Sequence, residues 1–150
     1  MRAAETYDYA VVRVVPRVER EEFINVGVVL SCPAFRFLEA RIELDEARLL
    51  ALDPGVDVEL IRRHLASFPA ICAGTPDSDP IGQLPQRARF HWLTARRSSI
   101  IQTSPVHTGR CTDPSATIER LMARMVRPVP RRPAPRRPVP RQATPPARGQ

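Results

Sequence analysis

The stretch from His91 to Cys111 gathers most of the side chains in this chain that could do chemistry: His91, Arg96, Gln102, His107, Arg110 and Cys111. Imidazoles titrate near neutrality, so His91 and His107 have the residue types of an acid/base pair. Arg96 or Arg110 could hold a phosphate or carboxylate beside them through paired hydrogen bonds. Such a set would suit a small phosphodiesterase or an RNA-cleaving enzyme. Cys111, four residues after His107, adds a thiol and a base, which act together only if they meet and the thiol ionises readily. Neither pair has the spacing of a known motif. The competing reading packs His91 and Trp92 in the core and lets His107 cap a turn, and it carries more weight.

A second polar group sits within the apolar N-terminal part. Arg13, Asn25 and Gly27 interrupt two valine-rich segments. A charge in an apolar strand is costly to bury unless paired. The three could form a ligand contact, with Gly27 leaving space for a ligand or another backbone. The alternative, which carries more weight, is a structural ion pair or hydrogen bond, for instance from Arg13 to Glu39 or Glu43, or an exposed sheet face. His64 falls on the apolar stripe of a predicted helix and reads as a core histidine. Three histidines without HxH or HxxxH spacing predict no metal site. No Walker-type loop, dinucleotide glycine motif or GxSxG is present, so no cofactor is expected.

The elements that must position these residues follow from periodicity and breakers. Tyr7–Val15 and Phe23–Cys32 read as strands joined by a charged turn, with Pro16 ending the first and Pro33 closing the second. Strict alternation puts Ile24, Val26, Val28, Leu30 and Cys32 on one apolar face, Arg13 opposite Asn25, and Val11 opposite Gly27. Arg36–Leu44 alternates as a third strand. Asp45 caps a short helix over Glu46–Leu52, and Asp57 starts another to about Phe68, where Pro69 interrupts it, with Ala70–Ala73 able to add a further turn. Leu84–Leu93 reads as a short helix and Ser98–Thr103 as a fourth strand. Ser104–Thr112 reads as a polar connection. Asp113-Pro114 starts a last helix, which Pro128 ends. This order predicts an α+β domain over residues 1–127: a mostly antiparallel sheet of about four strands with helices on one face.

The chain has 150 residues, 43% of them hydrophobic and 26% charged, as in ordinary globular domains. All 23 basic residues are arginine and 17 residues are proline, a pattern that codon bias in a GC-rich genome accounts for. The net charge of +7 is uneven: residues 1–127 carry +1, and residues 128–150 carry six arginines, no acid and eight prolines. That last segment cannot bury enough apolar area to offset about 1–2 kcal/mol of ordering cost per residue. It is expected to be a disordered tail with polyproline II bias. It could bind nucleic acid through phosphates but lacks aromatic side chains for base stacking. Cys32, Cys72 and Cys111 form neither a disulfide framework nor a CxxC site. With no apolar leader after Met1 and no membrane-length apolar run, the expectation is a cytoplasmic protein.

Four blocks in order, YDYAVVRVVPRVEREEFINVGVVLSCP, FLEARIELDEARLLAL, RFHWLTARRSSIIQTSPVHTG and CTDP, span Tyr7 to about Val126. In these blocks the chain resembles the bacterial domain-of-unknown-function family DUF3037. The resemblance implies a small intracellular bacterial protein of a family whose genes often lie beside one for a kinase-like protein. It implies no activity and no catalytic residues. Three functions follow as expectations. The first is a non-enzymatic partner or regulator of that kinase-like protein, acting through a sheet edge or the 91–111 surface. The second is a small enzyme using His91 and His107. The third is a nucleic-acid-binding module working through its tail.

Overall fold

Alternating valines drive the first two segments into a hairpin. In the computed structural model, which describes residues 2–149, β1 (Glu5–Val14) and β2 (Ile24–Cys32) pair antiparallel. β3 (Phe37–Ile42) pairs with the far side of β2. Helices α1 (Glu46–Leu52), α2 (Val58–Ala73) and α3 (Gln86–Thr94) follow. β4 (Ile101–Thr103) and β5 (His107–Cys111) then lie end to end along the free edge of β1, and α4 (Pro114–Met125) closes the domain. The sheet therefore has five antiparallel strands, ordered β3-β2-β1 with β4 and β5 sharing one edge.

β5 occupies part of the stretch whose polarity predicts a connection. Its side chains alternate little in hydropathy because most face solvent, so the strand is set by backbone pairing to β1. Ser104 carries the ladder across the break between β4 and β5. Its N–H donates to the Val11 carbonyl at 2.8 Å, and its Oγ accepts from the Val11 N–H at 2.8 Å.

The hairpin departs from strict alternation at one residue. Val12 pairs with Gly27 and Arg13 with Asn25, so Val26 is the extra residue of a β-bulge. Arg13 faces Asn25 as expected, but Val11 pairs with Val28 rather than Gly27. The expected single apolar face of β2 is split in two. Ile24, Val26 and Val29 pack with Ala10, Val12 and Val14 on a first face. Val28, Leu30 and Cys32 pack with Tyr7 and Tyr9 on a second.

Both faces of β2 are thus apolar, and both need covering. α1, α2 and α3 cover the first face with Leu49, Ile61, Leu65, Phe68, Phe90 and Leu93. α4 covers the second with Ile118, Leu121, Met122 and Val126. This corrects the expectation of helices on one face only. Each fully buried large side chain contributes about 1.5–3 kcal/mol.

Local signals set the helix ends. Asp45, Asp57 and Asp113 accept from the backbone N–H groups of Arg48, of Leu60, and of Ser115 and Ala116. α2 runs through Pro69 to Ala73, because Phe68, Ile71 and Cys72 are buried on either side of it, and Gly74 ends it at φ 67°. Residues 128–149 hold no helix or strand and are exposed throughout. Among the described residues no helix is long and apolar enough to cross a membrane.

Candidate functional site

Register brings Arg13, Asn25 and Gln102 into one row across β2, β1 and β4, on the second face. The Arg13 guanidinium lies 4.2 Å from the centre of the Phe23 ring. Asn25 Nδ2 donates to the Met125 carbonyl at 3.0 Å and ties β2 to the end of α4. Gln102 Nε2 donates to the Ser99 carbonyl. Two buried atoms of this row, Arg13 Nε and Asn25 Oδ1, have no partner. Of the alternatives for Arg13, the ion pair to Glu39 or Glu43 is not formed among the described residues: Glu39 pairs with Arg41, and Glu43 with Arg127. Arg13 has no carboxylate partner among the described residues. Gly27 gives its space to backbone rather than to a ligand, since a Cβ there would lie 2.4 Å from the Arg41 carbonyl oxygen.

The polar residues between His91 and Cys111 do not converge. His107 is exposed on β5 and stacks on Tyr9 with ring centres 5.4 Å apart, on the second face. His91 is exposed on α3, which covers the first face, and its field reaches Asp8 there. The two imidazoles stand on opposite sides of the sheet and share no pocket. The core reading of His91 and Trp92 is also corrected: Phe90 and Leu93 fill the core, and Trp92 is 39% exposed. Four residues of strand separate Cys111 from His107 by about 13 Å, and Cys111 is buried. Burial pushes the Cys72 thiol up to about 12, and burial with the neighbouring Cys111 raises Cys32. Arg96 is exposed, and Arg110 donates to the Ala4 carbonyl at 2.9 Å. His64 is exposed rather than in the core. Among the described residues no group of three or more His, Cys, Asp or Glu side chains could hold a metal ion.

Asp8 escapes a reading by motif. It sits on β1 between Tyr7 and Tyr9 and points to the first face. It accepts from Thr108 Oγ1 at 2.6 Å and from Arg87, whose Nη1 also donates to Ser31 at 3.2 Å. Burial opposes the Asp8 charge most strongly, yet the hydrogen bonds from Thr108 and Arg87 and the nearby cations hold its carboxyl below the usual range. A cavity of about 360 Å³ opens beside it, lined by Glu5, Thr6, Pro33, Ala34 and Arg87. With both oxygens engaged, Asp8 serves to fasten α3 to β1 and β5. The sequence signal was a lone carboxylate in an apolar alternating strand.

A groove runs past Trp92 between α2, α3 and the 97–101 segment. It consists of two cavities of about 350 and 370 Å³ that meet at Ser67 and Trp92. Phe68, Ile71, Ile81, Ile100 and Ile101 supply apolar walls, and Arg63, His64 and Arg97 stand at the rim. Arg97 stacks 4.1 Å from the Trp92 ring centre and donates from Nη2 to the Trp92 carbonyl at 2.6 Å, which holds the indole in place.

Residues 9–126 match the family described as "Protein of unknown function (DUF3037)", and the chain belongs to that family. No curated protein and no solved structure matches the chain.

Proposed function

We propose that this DUF3037 protein is a non-enzymatic binding partner that regulates a kinase-like protein, and that the Trp92 groove is where the partner docks. The observation that carries this reading is a half-exposed tryptophan, braced by an arginine, at the junction of two apolar cavities. Tryptophan and arginine dominate the energetics of protein interfaces, and a pre-braced indole loses little entropy on binding. Arg63 and Arg97 outnumber Asp77 at the rim, so the matching segment carries an apolar anchor flanked by carboxylates. The kinase-like identity of the partner rests on the gene neighbourhood that the family resemblance implies.

Co-expression of the tagged protein with the adjacent kinase-like gene product, followed by size-exclusion chromatography, tests the reading. A shared peak for wild type that Trp92→Ala splits is the expected outcome. Separate peaks for the wild-type pair would remove the partner role. A shared peak that Trp92→Ala leaves intact would move the interface elsewhere.

A further inference from the structure

The second face of the sheet is covered at its centre, where Tyr7 and Val11 of β1 are buried, and is exposed along its edge at His107 and Phe23. α4 packs on β2 and β3, and Arg41 of β3 reaches Ser115 and Glu119 on one flank of the helix. At 3.6 residues per turn, Arg124 stands on the other flank, and Arg120, one turn back, stands nearer the solvent side. Both are exposed, and neither forms an ion pair among the described residues. Beside that flank, β1 and β5 present the Tyr9–His107 stack, and Arg13 lies under Phe23, which is 43% exposed. Among the described residues the terminal nitrogens of Arg13 have no hydrogen-bond or ion-pair partner, and Nε alone of its three nitrogens is buried without one. Tyr9 and Arg13 are four residues apart on one strand face, so the two ring platforms are separated by about 13 Å. Glu22, next to Phe23, is already paired with Arg20, and Glu119, on the Arg41 flank of the helix, with Arg41 and Arg127. Glu5 lies at the far end of the strand.

We propose that this trough binds single-stranded nucleic acid. Bases stack on the Tyr9–His107 pair and on Phe23, while Arg13, Arg120 and Arg124 take the phosphates. Aromatic rings on an open sheet combined with unpaired arginines are the chemistry of sequence-tolerant single-strand binding. A duplex keeps its bases stacked on one another and cannot use the rings. The six arginines of the tail follow directly from the end of α4 and add a sequence-independent attraction for phosphates. The trough supplies the stacking surfaces that the tail lacks. This site lies on the opposite face from the Trp92 groove and stands independently of the docking reading.

The test is fluorescence anisotropy of the full chain with a labelled oligouridylate of about twelve nucleotides, against a hairpin duplex, over a range of salt. Tighter binding to the single strand is expected. His107→Ala and Phe23→Ser should each weaken it about tenfold. Arg120→Glu with Arg124→Glu should weaken it and flatten the salt dependence. All four positions are exposed, and circular dichroism checks that each variant folds. Four results overturn the proposal: no binding; equal binding to the duplex; ring variants that bind like wild type while removal of residues 128–150 abolishes binding; or capture of an acidic polypeptide such as polyglutamate with no affinity for the oligonucleotide.

Discussion

The two faces of the sheet treat a charge on the same strand in opposite ways. On the first face Asp8 lies beneath α3, with both carboxylate oxygens hydrogen-bonded and its charge balanced by Arg87. On the second face Arg13, five residues along, has an aromatic ring for company and no carboxylate. Three helices cover the first face and one covers the second. A polar residue under a complete roof must be satisfied internally or it destabilises the fold. Under a partial roof it can be left open to solvent or to a ligand. The unpaired polar groups of this molecule therefore point to function more clearly than its paired ones.

Core substitution under the complete roof should have the largest effect. Phe90 is fully buried against α2 and the sheet, and Phe90→Ala should cost about 3–5 kcal/mol in urea denaturation. A cost below about 1 kcal/mol would mean that the first face is loosely packed, and the contrast between the faces would fail.

Asp8→Ala should come next, at about 1–3 kcal/mol, because it strands Arg87, Ser31 and Thr108. The effect should depend on pH. The folded-state pKa of Asp8 is depressed, so its contribution is present above the unfolded carboxylate value and is lost as pH falls through the folded one. The gap in stability between wild type and Asp8→Asn should therefore close in acid. A gap that stays constant down to strongly acidic pH would show that the carboxylate is not what matters.

Arg13→Met on the second face should have the smallest effect, within about 1 kcal/mol of wild type in either direction. An apolar side chain of similar length replaces a charge that no carboxylate compensates. A loss as large as that of Asp8→Ala would show that Arg13 is a structural residue after all.

How much of this was legible depends on how far each feature reaches along the chain. The Asp45, Asp57 and Asp113 caps were readable because each bonds to an N–H two or three residues away. The pairing of Arg13 with Asn25 was readable because the charged connection, residues 15–23, makes a hairpin of the two strands and places its centre near Glu19. The bulge at Val26 was not. It belongs to the pairing of β2 with β1, and one extra residue exchanges the faces of everything beyond it. β5 was missed because its pattern is polar and its partner, β1, lies about a hundred residues away in sequence. Asp8 was missed for the same reason: its partners, Thr108 and Arg87, come from distant parts of the chain.

The sequence by itself determined the α+β composition, the helix ends, the antiparallel hairpin and the separate character of the Pro/Arg-rich tail. Each depends on local periodicity, caps, breakers or composition. Only the tertiary structure decided that α4 crosses to the second face, that His91 and His107 stand on opposite sides of the sheet, and that Trp92 lines a groove instead of the core. Those outcomes depend on which apolar surfaces remain uncovered once the sheet has formed, a property of the assembled layers that no single segment encodes.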